Sequence, residues 1–174
     1  WMPNGNFPFR ANFPPNFAAN DATVVIAFHG AGATPNMWFE AYGGGVAVKE
    51  ATKRGWAFIA PVTKEGAAQA VLDWLKTQRG VRVSRVFIMG HSLGGGQALG
   101  SAKVTPKPAA IAAFSPAASR FGKDFEEIPL LLTIGKQEIS RLLVSTQALA
   151  REMASMPSFK YIEYDQCEHL MLPA

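Results

Sequence analysis

Residues 85–96 read Arg85-Val-Phe-Ile-Met-Gly-His-Ser-Leu-Gly-Gly-Gly96. A β-branched, apolar run passes into Gly90-His91-Ser92-Leu93-Gly94 and then into a segment able to form a helix from Leu93 onward. Where a strand turns sharply into a helix, the turn residue is held in a strained backbone conformation and the two elements are pressed together. Side chains at positions 90 and 94 would collide there, and glycine answers that need. The run Gly94 to Gly96 costs on the order of 1 kcal/mol per residue relative to alanine in a helix, so a close backbone approach has to offset it. Ser92, at the apex, is the candidate nucleophile. The plainer alternative is a packing turn whose serine only caps the helix.

Working outward, short β-branched runs alternate with helix-like segments. Strands are expected at 23–28, 56–60, 85–89, 109–114, 130–134 and 159–164, and helices at 45–54, 67–78, 93–103 and 140–155. The runs VVIAF, VFIMG and LLLTIG are apolar on both faces, as strands are when helices cover both sides of a parallel sheet. The expected fold is therefore α/β: an open, mostly parallel, doubly wound sheet of about six strands, with ligands beyond the strand C-termini. Residues 1–20 have no helical or strand period, and prolines at 3, 8, 14 and 15 forbid a regular helix, so an extended arm is expected before a single domain over 21–174. No internal repeat or linker interrupts that domain.

Composition narrows the function. The formal net charge of +4 comes from scattered Lys and Arg without interleaved aromatics, which argues against nucleic-acid binding. No apolar run reaches the roughly 18 to 20 residues of a bilayer span. The lone Cys167 cannot form an internal disulfide, which leaves the compartment open. Three separated histidines and one cysteine show no zinc spacing, so neither a metal nor a cofactor is expected.

At the end of the first expected strand, His29-Gly30-Ala31-Gly32 forms a small-residue loop that exposes backbone N–H groups. Two fixed N–H donors facing a developing oxyanion can contribute about 2.7 to 4 kcal/mol each to an acyl-transfer transition state. The expected donors are Ala31 and Leu93.

Together, His29-Gly30-Ala31-Gly32 and Gly90-His91-Ser92-Leu93-Gly94-Gly95 resemble the α/β-hydrolase superfamily, in its small serine-esterase, dienelactone-hydrolase-like or feruloyl-esterase-like branches. The resemblance spans residues 23–170, and Arg85 is similar to an arginine before the nucleophile strand in several of those branches. It implies the chain order serine, acid, histidine. His29 and His91 lie in the loop and the elbow, so His169 is left as the base. The acid falls in the turn Gly135-Lys136-Gln137-Glu138, where a glutamate stands in place of the family's usual aspartate. Glu138 is the expected third member, Asp165 its rival and Asp124 a more distant one. Dienelactone hydrolases carry cysteine in the elbow, whereas the elbow here holds Ser92, so Cys167 reads as a bystander. Ser115-Pro116 resembles a structural turn of the family.

The expected activity is that of a carboxylesterase-type serine hydrolase, cleaving short-chain acyl or small aromatic esters through an acyl-enzyme. The alternatives are a prolyl-oligopeptidase-type peptidase and a non-catalytic, hydrolase-like binding module. Residues 115–128 leave little room for a lid, so an open pocket is expected, walled by Met37, Trp38 and Phe121, with Phe39, Tyr42 and Phe125 as further candidates or core residues. Relatives often begin with two more strands and end with another helix. The resemblance thus implies a minimal or trimmed version, whose exposed sheet edges would suit a homo-oligomer.

Overall fold

The computed structural model describes residues 8–118, 125 and 127–169. Its strands are β1 (Phe9–Asn12), β2 (Ala22–Phe28), β3 (Ala57–Pro61), β4 (Val83–His91), β5 (Ala110–Phe114), β6 (Leu130–Gly135) and β7 (Phe159–Tyr164). The helices are α1 (Met37–Glu40), α2 (Val46–Lys53), α3 (Ala67–Arg79), α4 (Leu93–Gly100) and α5 (Ser140–Met153). One seven-stranded sheet joins them in the order β1-β3-β2-β4-β5-β6-β7. Every neighbouring pair is parallel except β1 with β3.

The six expected strands are present, the widest adjustment being β4, which runs Val83–His91. The seventh lies within the expected extended arm: Phe9–Asn12 pairs antiparallel with β3, Phe9 opposite Pro61 and Asn12 opposite Phe58. This strand has only four residues, and Pro8 and Pro14 flank it. Prolines are tolerated at an edge, where half of the backbone groups need no partner. Nothing in its own residues encodes that pairing.

Helices cover both faces of the sheet. On one face, Ile26, Phe28, Ile59, Ile88, Ile111 and Leu132 meet Val71, Leu72 and Leu75 of α3, Leu99 of α4 and Leu149 and Met153 of α5. On the other, Val25, Ala27, Phe58 and Ala60 meet Trp38 of α1 and Ala51 of α2. The alternation of Val24, Val25, Ile26 and Ala27 between the two clusters explains why the run is apolar throughout. Full burial of each Ile or Leu side chain contributes about 1.5 to 3 kcal/mol.

Parallel pairing sets the place of the site. Phe28 lies opposite Gly90, His91 opposite Phe114, Phe114 opposite Thr133, and Gly135 opposite Tyr164. The loops leaving β2, β4, β6 and β7 therefore emerge at one end of the sheet. Those loops carry His29 to Gly32, Ser92, Glu138 and His169.

Candidate active site

Ser92 stands between β4 and α4 with φ 56° and ψ −120°, outside both the helical and the extended regions. For a residue with a side chain such a conformation costs of order 1 to 3 kcal/mol, and the surroundings must enforce it. The Ser92 N–H donates to the Phe114 carbonyl at 2.9 Å, while its own carbonyl accepts from Gly96 at 3.1 Å and from Ala117 at 2.8 Å. The glycines let those elements close up. A Cβ at Gly90 would overlap the Gly94 carbonyl and lie 2.9 Å from the Gly95 nitrogen; one at Gly94 would overlap the Phe28 carbonyl and lie 2.6 Å from the His29 oxygen. Further along, a Cβ at Gly95 would lie 2.9 Å from Pro116 Cα, and one at Gly96 2.7 Å from the Ala117 oxygen. The glycine run thus seats α4 against the ends of β2 and β5, and Ser115-Pro116 packs on it as a structural turn.

His169 follows β7 and reaches back across the sheet end. Its Nε2 lies 2.9 Å from Ser92 Oγ, and its Nδ1 lies 2.8 Å from Glu138 Oε2. A carboxylate only accepts, so Nδ1 carries the proton and Nε2 is free to accept from the serine hydroxyl. The second carboxylate oxygen of Glu138 accepts the Ile139 N–H at 2.7 Å, at the start of α5. Glu138 is 7% exposed, with both oxygens engaged, which sets its orientation. Asp165, the rival acid, points away: its side chain is 80% exposed and pairs with Lys136 at 2.5 Å. That lysine, through its hydrogen bond and its charge, holds the Asp165 carboxyl below its ordinary range. Asp124 lies outside the described residues.

No protein-family model and no curated protein matches the sequence. Solved structures do match it. Est1E from Butyrivibrio proteoclasticus aligns at 17% identity with a TM-score of 0.70, over 95% of this chain and 86% of that one. A ferulic acid esterase aligns at 14% identity with a TM-score of 0.74, again over 95% and 86%. The S-formylglutathione hydrolase FrmB from Staphylococcus aureus aligns at 12% identity with a TM-score of 0.62, over 97% and 92%. This is an α/β-hydrolase fold.

Within the hydrolase fold, Ser92, Glu138 and His169 come in the chain order serine, acid, histidine, each in the loop after a parallel strand. The loop after β2 is braced from the core. His29, 6% exposed, accepts the Thr63 N–H at Nε2 (3.2 Å) and donates from Nδ1 to the Gly30 carbonyl at 2.8 Å, while Thr63 Oγ1 donates to the His29 carbonyl at 2.7 Å. Ala31 follows in the exposed turn. Leu93 opens α4, so its N–H has no carbonyl partner earlier in the helix.

The expected pocket walls fare unevenly in this hydrolase fold. Met37 and Phe39 are half-buried, and the Arg10 guanidinium covers the Phe39 ring at 4.3 Å. Trp38 is only 4% exposed and packs against Tyr42, Phe58 and Phe114, which makes it core rather than an open wall. Phe125 is likewise core. Phe121 lies outside the described residues. Two partners escaped sequence reasoning: Thr63, whose role depends wholly on where β3 ends, and the Tyr42 hydroxyl, which meets His91 Nδ1 at 3.0 Å instead of facing a pocket.

Proposed function

We propose that this chain is a serine hydrolase that cleaves small carboxylic esters through an acyl-enzyme. The observation that carries the reading is the continuous path Ser92 Oγ, His169, Glu138, with gaps of 2.9 and 2.8 Å, at a serine whose backbone is strained at φ 56°. A serine that merely capped α4 would need neither the strain nor an imidazole behind it. The hydrolase fold and the esterase names of its structural neighbours support the same chemistry.

In the reaction, Ser92 Oγ attacks the acyl carbon as His169 Nε2 takes its proton. Glu138 holds the imidazole in the tautomer that can do this and stabilises the imidazolium that results. The Ala31 and Leu93 N–H groups receive the oxyanion. Collapse of the tetrahedral intermediate expels the alcohol, protonated by His169, and leaves an ester on Ser92. Water, deprotonated by His169, then attacks that ester; the acid leaves and Oγ regains its proton.

The substrate class is short-chain acyl or small aromatic esters, since Leu93 beside the nucleophile is 42% exposed and offers an apolar surface to a small acyl or aryl group. The test is labelling with a fluorophosphonate probe alongside hydrolysis of short-chain p-nitrophenyl esters. Labelling at Ser92, lost in Ser92→Ala together with turnover, is the expected result. Folded protein with an unmodified Ser92 would instead favour a binding module built on this fold.

A further inference from the structure

His91 is 4% exposed, yet a packing role alone would be filled at lower desolvation cost by an apolar ring. Both of its nitrogens are engaged. Nε2 lies 2.6 Å from the main-chain carbonyl of His169, and a carbonyl can only accept, so Nε2 carries the proton. Nδ1 is then bare and accepts the Tyr42 hydroxyl at 3.0 Å. The Tyr42 oxygen in turn faces the Gly30 N–H at 3.4 Å. The hydrogen bonds thus run in one direction, from Gly30 to Tyr42 to His91 to the carbonyl of His169. They begin in the loop that holds Ala31 and end on the residue whose side chain addresses Ser92.

The far end needs such a tie. After β7 the chain is anchored to the β6 turn by Lys136 N–H to the Tyr164 carbonyl (2.8 Å) and Gln137 N–H to the Cys167 carbonyl (3.1 Å). Beyond Cys167, among the described residues, the His169 main chain is held through its carbonyl by His91. The two imidazole rings also lie against each other, with centroids 4.8 Å apart.

We infer that His91 is a positioning residue: its imidazole bolts the main chain of His169 to Tyr42 and Gly30, so that the base and the oxyanion loop keep one mutual geometry. This rests on the serine-hydrolase reading for its catalytic consequence, while the geometry itself can be tested without turnover. A displacement of the base by about 1 Å is enough to lower a rate roughly a hundredfold.

The experiment compares His91→Phe, which keeps the ring volume without a donor, with His91→Gln, whose amide can reach the His169 carbonyl. Tyr42→Phe removes the hydroxyl alone. With a short-chain p-nitrophenyl ester, His91→Phe is expected to lower kcat about tenfold to a hundredfold with little change in KM, and His91→Gln to recover most of it. Tyr42→Phe should cause a smaller loss that does not add to that of His91→Phe. Unchanged kcat in His91→Phe, or equal losses in Phe and Gln, would overturn the inference.

A proton NMR readout separates this from failure of the serine-hydrolase reading. The Nδ1 proton of His169, held against Glu138, should be sharp in wild type and in His91→Gln and broadened in His91→Phe. If wild-type Ser92 resists the fluorophosphonate, the functional reading falls, yet this resonance still decides the positioning role. A signal identical in His91→Phe and wild type refutes it.

Discussion

Gly94→Ala sets two local forces against each other with opposite signs. Gly94 lies in the first turn of α4 with no positive φ, so helix propensity alone predicts that alanine stabilises by about 1 kcal/mol. Packing predicts the reverse. The added Cβ would overlap the Phe28 carbonyl and approach the His29 oxygen to 2.6 Å, and both are backbone atoms that no rotamer change can move. Overpacking of a tight core costs about 1 to 3 kcal/mol, and a backbone obstacle places this site at the upper end. Subtracting the propensity gain leaves a net loss of about 2 kcal/mol, or roughly 4 to 8 °C in Tm for a chain of this size. Relief requires α4 to lift away from β2, moving Ser92 relative to the Ala31 loop, so kcat should fall as well, by about a hundredfold. Gly100→Ala, in the last turn of the same helix with nothing near its Cβ, is the control and should leave Tm unchanged or raise it slightly. Thermal unfolding followed by circular dichroism, with ester turnover on the same samples, reads both effects. A Gly94→Ala protein as stable as Gly100→Ala would refute the claim that backbone contact demands the glycine.

Glu138→Gln keeps the acceptor for Ile139 but removes the charge behind His169, and should lower kcat by about 10³ to 10⁴ in steady-state assays. Asp165→Asn, disturbing only an exposed pair with Lys136, should stay within about twofold of wild type. Gly135→Ala should lower kcat through the other end of the site, because its Cβ would overlap the Cys167 carbonyl and displace the segment carrying His169; near-ultraviolet circular dichroism should show the fold retained. Burial holds the His91 pKa below its ordinary value, with the nearby charge of His169 lowering it further and the His169 carbonyl and Glu138 opposing. The unfolded chain then binds the proton more readily, so this contribution to stability is complete above about pH 6.5 and declines as the pH falls below it. Tm measured against pH should show a smaller acid-side decline in His91→Gln than in wild type, with Tyr42, His169 and Glu138 unchanged around it.

Much of the fold was legible because its signals are local. The two-faced apolar runs of β2, β4 and β6 announce a covered parallel sheet, and α2, α3 and α5 fall close to their expected bounds, whereas the single turn α1 (Met37–Glu40) after β2 was not expected. Where α4 was expected to reach residue 103 it stops at Gly100, with Ser101 as its C-cap. β1 was illegible: four residues between prolines carry no period, and only the exposed edge of β3 turns them into a strand. Trp38 and Phe39 are neighbours of similar character in the sequence, and which of them is core depends on how α1 docks over β3.

Ser92 and its glycines could be identified from adjacent residues alone, because the sterics of a strand-to-helix bend act over a few bonds and leave their mark in the composition of that bend. The choice between Glu138 and Asp165, and the link from His91 to the His169 main chain, join groups 31 and 78 positions apart, respectively, or fail to. Such meetings depend on the register of β6 with β7 and on the direction each side chain takes on leaving the sheet. Glu138 turns inward at the start of α5 while Asp165 turns out to Lys136, a difference of orientation that residue type and spacing do not encode.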